Sequence, residues 1–211
     1  MTALKLYHCR DARSFRALWA LEELGLPYEL VTMPFPPRAL VEGYREINPL
    51  GTIPALVAGG QLMTESAAIP HFLATRYGPS TMAVAPEEPA YAAYLNFLHM
   101  GEATLTFPQT IHLRYTRLEP PERRAAQAAE DYALWFGSRL RNAMPLMGPD
   151  YVCAGRFTMA DISVGYAVML ALDVRLEAQV PEEMLAYFER LSLREGFRRA
   201  KAAQGEGRLG V

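Results

Sequence analysis

Apolar and polar positions along the chain change their period from one segment to the next, and the changes mark elements. Leu4–Tyr7 is a short apolar run that predicts a strand. From Ser14 to Leu24 the spacing turns helical, with Phe15, Leu18 and Trp19 on one side and Leu21 and Leu24 beside them. Gly25 is the expected stop, and Pro27 cannot continue the helix. Tyr28–Thr32 predicts a second strand, followed by a Pro-containing stretch with a weak helix around Ala39–Ile47. Pro54–Val57 and Gln61–Met63 read as short strands around Ala58-Gly59-Gly60, a tight-turn signal. Ser66–Tyr77 predicts a helix that ends at Gly78-Pro79.

Past this point strand signals nearly vanish. Gly78 to Pro89 is a linker by composition. Ala90–Arg117 is expected as a long helix kinked at Pro108, and Arg123–Met144 as a second one containing Tyr132, Trp135, Phe136 and Leu140. Met159–Asp173 is almost wholly apolar and so is expected to be buried on most sides. Glu182–Leu191 and Arg194–Ala203 close the chain. The reading divides the chain into residues 1–78, a linker at 79–89 and an all-helical region at 90–211. A βαβ half followed by a ββα half is the order of the thioredoxin-like fold. Periodicity alone does not fix strands this short.

Composition narrows the function. The 211 residues are 51% hydrophobic and 21% charged, with a formal net charge of -2. That balance is ordinary for a globular protein and lacks the basic excess that neutralises phosphates, so nucleic acid is not expected as a partner. Arg194, Arg198, Arg199 and Lys201 cluster near the end, where a solvated helix face is the expectation. No apolar run reaches the ~18 residues of a membrane helix, and Met1-Thr2-Ala3-Leu4-Lys5 does not open a secretory signal. The two cysteines, Cys9 and Cys153, are too few for a disulfide framework, and no cluster has metal-ligand spacing. A cytoplasmic protein without a metal is expected.

Two motifs carry chemistry. In Asn48-Pro49-Leu50-Gly51-Thr52-Ile53-Pro54-Ala55-Leu56, Pro49 and Gly51 make a turn and Pro54 opens a strand. A cis Ile53-Pro54 bond would turn the backbone N–H and C=O of Ile53 outward, where an extended peptide pairs by strand addition. In Thr64-Glu65-Ser66-Ala67-Ala68-Ile69, Ser66 stands at a helix start as a prospective N-cap, beside free backbone N–H groups that suit a carboxylate. Glu65 adjoins it and suits an ammonium group. Together the motifs fit a peptide with an amino-acid-like end.

Both motifs, with Ser14-Phe15-Arg16, Leu21-Glu22-Glu23-Leu24-Gly25-Leu26-Pro27-Tyr28 and Phe157-Thr158-Met159-Ala160-Asp161-Ile162, resemble the glutathione transferase family in order along nearly the whole chain. The likeness is to its cytosolic, bacterial-type members that use serine or cysteine. It is this resemblance, carried by the motifs, that implies an α/β thioredoxin-like N-terminal domain joined to an all-α C-terminal domain. By that resemblance Glu65 and Ser66 hold the γ-glutamyl group of glutathione as co-substrate. Ile53, before Pro54, pairs with its cysteinyl part. Thr52 stands where many relatives carry a longer Lys or Gln, which weakens that contact. Thr158 and Asp161 have capping-box spacing, with Phe157 and Ile162 as a hydrophobic staple. Relatives usually form homodimers.

Glutathione chemistry needs a thiolate, and relatives place the activating group in Tyr7-His8-Cys9-Arg10-Asp11-Ala12-Arg13-Ser14. Ser14, a natural N-cap, offers a hydroxyl and nearby amides to a sulfur anion. Cys9 is the rival and would form a mixed disulfide with glutathione, although Cys9-Arg10-Asp11-Ala12 lacks a second cysteine. Tyr7 suits the tyrosine-using branch, and Arg13 would assist electrostatically. Attack on a small, largely apolar electrophile, peroxide reduction, isomerisation and thiol exchange through Cys9 all stay open. So does a binding module without turnover.

Overall fold

The computed structural model describes residues 4–78 and 80–205, so Pro79, part of the expected linker, lies outside the described residues. A mixed four-stranded sheet in the order β2-β1-β3-β4 forms the centre of the first unit. β1 (Leu4–His8) runs parallel to β2 (Tyr28–Thr32), with α1 (Phe15–Leu24) as the crossover. Two single-turn helices, α2 (Pro37–Leu40) and α3 (Tyr44–Ile47), replace the one weak helix expected there. β3 (Ala55–Ala58) is antiparallel to β1 and to β4 (Gln61–Met63), and α4 (Ala68–Arg76) follows. The βαβ and ββα halves expected from the patterning are both present.

Alternation along β1 decides which face is covered. Leu4, Leu6 and His8 are buried, whereas Lys5 and Tyr7 are partly exposed. α1 is buried along most of its length, from Phe15 to Leu21, because β1, α4 and the last helix all pack against it. That last helix, α10, runs Glu195–Gln204. The first unit therefore takes the described residues up to Ala83 together with those from Ser192 onward, and the second runs Val84–Leu191. This differs from a division that assigns everything after the linker to the helical region. The cations of the terminal cluster explain it. Arg194 pairs with Glu23 through two hydrogen bonds of 2.8 Å, Arg199 with Glu22 at 2.9 Å, and Lys201 with Asp11 at 2.5 Å. Gly196 permits the approach, since a Cβ there would stand 2.5–2.8 Å from the Glu23 side chain. The expected solvated face is an intramolecular contact, with Arg198 left exposed.

The second unit contains α5 (Tyr91–Met100), α6 (Phe107–Leu113), α7 (Ala126–Ala143), α8 (Met159–Asp173) and α9 (Glu182–Ser192). Between α5 and α6 the chain keeps a helical path through a π-helical turn, Gly101–Thr106, with Phe107 N–H reaching back to the Glu102 carbonyl. Pro108, in the first turn of α6, has no N–H to continue the ordinary register, and the wider turn precedes it. Gly101 also lets this path touch α8, because a Cβ would meet Ser163 at 2.3 Å. α8 begins with the expected capping box: Thr158 Oγ1 accepts from Ala160 N–H at 3.3 Å, and Asp161 Oδ2 accepts from Thr158 N–H at 2.8 Å. Asp161 Oδ1 also accepts from Val152 N–H and the Tyr187 hydroxyl, each at 2.9 Å. Burial still raises its carboxyl to about 6. Among the described residues no helix is long and apolar enough to cross a membrane.

Candidate glutathione site

The Ile53 edge is built by local contacts. Asn48, fully buried, accepts Leu50 N–H on Oδ1 at 3.1 Å and Gly51 N–H on its carbonyl at 2.8 Å, which closes the turn. Its Nδ2 donates to the Thr52 carbonyl at 2.8 Å, and the Tyr44 hydroxyl donates to the same oxygen at 2.7 Å. Thr52 is thus held through its main chain while its side chain is exposed. The Ile53-Pro54 bond is cis, as the sequence reading has it, and Phe35-Pro36 is a second cis bond that it did not foresee. β3 begins only at Ala55, and among the described residues nothing hydrogen-bonds the main chain of Ile53. A short peptide edge is left open there.

Glu65 and Ser66 follow β4. Glu65 is exposed, and its carbonyl accepts from Ile69 N–H at 3.0 Å. Ser66 is not the N-cap: that position falls to Ala67, and no side chain caps α4. The Ser66 hydroxyl instead accepts from Nη1 of Arg16 at 3.1 Å, and Arg16 is fully buried on α1. A guanidinium is seldom buried without partners, so its position under Ser66 ties the start of α1 to the start of α4. Arg16 appeared in the sequence only as part of a motif. The Arg-under-serine contact has no local signal.

The loop after β1 departs further from expectation. Ser14 precedes α1 but caps nothing with its side chain. It is fully buried, lies 2.9 Å from Nδ1 of His8, and accepts from Cys9 N–H at 3.1 Å. Cys9 is fully buried too, and its thiol donates to the Pro34 carbonyl at 3.5 Å. Burial pushes that thiol up to about 12, so Cys9, the rival to Ser14 in the sequence reading, is a packed and protonated side chain at neutral pH. It sits in a small cluster with Ala12, Met33, Tyr44 and Ile53, flanked by Tyr7. The same cluster joins the loop to the Ile53 edge. Tyr7 packs on Tyr44 with ring centroids 6.1 Å apart, and Arg13 is half-buried at the end of the loop.

The residues that the sequence reading missed here are His8, Asp11, Lys201 and Gln204. Asp11 takes a left-handed conformation with φ 51°, one that aspartate tolerates better than most residues. Its carboxylate accepts from Lys201 Nζ and, at 2.6 Å, from Gln204 Nε2. Burial lowers His8 to about 4, with Gln204, Asp11, Ser14 and Arg10 as its polar and charged neighbours. Among the described residues no cluster has the make-up of a metal site.

A thioredoxin-like unit, with the main chain of Ile53 unpaired and Glu65 exposed, is followed by a helical unit. The family model for the glutathione S-transferase N-terminal domain matches residues 12–76. Glutathione S-transferase GstA of Escherichia coli O157:H7 is 27% identical over 96% of this chain and 99% of its own. Glutathione S-transferase 3 of Schizosaccharomyces pombe is 35% identical, over 47% of this chain and only 41% of its own. The solved theta class glutathione S-transferase of Xanthomonas axonopodis pv. citri, with glutathione bound, matches at 26% identity and a TM-score of 0.77, covering 95% of this chain and 97% of that one. Residues 12–76 thus match the glutathione S-transferase N-terminal domain, and the chain resembles glutathione S-transferases along nearly its whole length.

Proposed function

We propose that this protein binds glutathione at Ile53, Pro54, Glu65 and Ser66 and directs its thiolate at small, largely apolar electrophiles. The observation that carries the reading is the unpaired main chain of Ile53, held in a rigid turn by Asn48 and Tyr44. That edge takes the cysteinyl part of the tripeptide by main-chain pairing, with Thr52 beside it. Glu65 takes the ammonium of the γ-glutamyl end, and Ser66 lies beside its carboxylate. The Phe15 and Arg16 N–H groups donate to the Ala12 and Arg13 carbonyls, while Arg13 and the N-terminal dipole of α1 stabilise the sulfur anion. Ser14 supports them from beneath, because its hydroxyl is engaged by His8 and Cys9. Thiol exchange through Cys9 has no support in its burial. The homodimer and the cytoplasmic setting of relatives belong to the same proposal, and light scattering tests the dimer.

Calorimetry with glutathione is the direct test. The wild type is expected to bind at millimolar concentration or below, and Glu65→Gln to bind about tenfold more weakly for the lost charge-assisted contact. No heat from the wild type at millimolar glutathione sinks the reading. The engaged Ser14 hydroxyl also favours a second reading, a glutathione-binding module without turnover. Binding without conjugation across a panel of aryl halides and other electrophiles would select it.

A further inference from the structure

The far end of the chain orders the loop that precedes α1. Asp11 N–H donates to Gln204 Oε1 at 3.2 Å, and Gln204 Nε2 donates to Asp11 Oδ1 at 2.6 Å, so the amide of Gln204 has one orientation. His8 Nε2 lies 3.0 Å from Oε1, an oxygen that only accepts. The proton of the neutral imidazole is therefore on Nε2, and Nδ1 is left as an acceptor. Nδ1 takes the hydroxyl proton of Ser14, 2.9 Å away, and Ser14 Oγ keeps a lone pair for Cys9 N–H. Arg10 Nε donates to the Gln204 carbonyl at 2.9 Å, and Lys201 Nζ lies 2.5 Å from Asp11 Oδ1 and 5.2 Å from the Phe15 ring centroid.

We propose that Gln204 is a positioning residue for the glutathione sulfur: it selects the His8 tautomer that turns the Ser14 hydroxyl inward and, with Lys201, fixes the turn at Asp11. The inference rests on the reading that the loop from Cys9 to Ser14 faces the bound thiol. Its chemical content is specific. A side chain that cannot accept at position 204 frees His8 to carry its proton on Nδ1, and that proton then points at Ser14 Oγ. The Ser14 hydroxyl must turn elsewhere, with the Cys9 carbonyl at 3.2 Å as one alternative. The amides and Arg13 around it move with the loop.

The test uses the full chain, labelled with 15N-histidine, in the wild type and in Gln204→Leu, Lys201→Met and Arg199→Gln. Arg199→Gln removes an α10 contact to Glu22, away from the loop. The wild type is expected to show His8 protonated on Nε2 at neutral pH, and Gln204→Leu to move the proton to Nδ1. Glutathione affinity by calorimetry should weaken about tenfold in Gln204→Leu and about threefold in Lys201→Met, with no change in Arg199→Gln. A purely structural role would lower thermal stability in all three and leave affinity alone. Unaltered affinity in a folded Gln204→Leu, or wild-type His8 protonated on Nδ1, overturns the inference. If Gln204→Leu does not fold, Lys201→Met and the wild-type tautomer decide it. A wild type that binds no glutathione overturns the proposed function and this inference with it, whereas failure of the variants alone leaves that function standing.

Discussion

The two loops of the candidate site are held in opposite ways. The Ile53 edge is fastened by residues four to eight positions away, through Asn48 and Tyr44 on the Thr52 carbonyl. The Cys9–Ser14 loop is fastened by residues 190 to 196 positions away, through Lys201 and Gln204 on Asp11 and His8. Short closures cost little chain entropy and form early, while the long ones wait for the whole unit. One loop carries its own scaffold in its sequence. The other borrows it from α10.

This contrast is exposed to measurement, and the largest effect is expected from pH. The folded His8 titrates near 4, below the 6.5 of an exposed imidazole, because burial disfavours its charge. Between those values the unfolded chain binds the proton and the folded one does not. Stability is therefore whole above pH 6.5 and is lost as pH falls toward 4, by about 3 kcal/mol. Asp161, raised to about 6 by burial, acts with the opposite sign, so the His8 part is the difference between wild type and His8→Gln in urea titrations at pH 7 and 4. Equal slopes in the two proteins would mean that the distal latch does not hold a neutral imidazole.

Asn48→Ala strips the local scaffold and is expected to cost about 2 kcal/mol, with a matching fall in glutathione affinity. Urea titration and calorimetry on one sample read both, and full affinity in a destabilised variant would show that the edge does not depend on its turn. The smallest effect is expected from Cys9→Ala, about 1 kcal/mol of lost packing with turnover inside twofold of wild type. Abolished turnover would restore the thiol to a chemical role and undo the division between the loops.

What was legible in the sequence follows the same line. The capping box of α8, the Ala58-Gly59-Gly60 hairpin and the open edge before Pro54 are local devices, and each appears where its residues announce it. Helical periodicity located α10 but not its partners, since Arg194, Arg199 and Lys201 have the spacing of a solvated face until Glu23, Glu22 and Asp11 are brought beneath them. Ser66 loses the N-cap position to Ala67, and Ser14 holds the N-cap position of α1 without a capping side chain, for one reason. A serine before a helix is a cap unless a nearer donor or acceptor takes its hydroxyl, and Arg16 and His8 do so from other elements. The depth of Cys9 is set by Tyr44, Met33 and Ile53, which no pattern around position 9 encodes.

The assignment of α10 to the first unit has a consequence for biosynthesis. The chain is made from its N-terminus at about 5–20 residues per second, so strands β1 to β4 leave the ribosome well before the helix that covers Phe15 and Trp19. The second unit has all of its described elements in hand by Leu191, earlier than the first acquires its last one. The unit that is translated first is thus completed last, and a nascent chain arrested before residue 195 would carry the Ile53 edge but leave the aromatic face of α1 for a chaperone to shield.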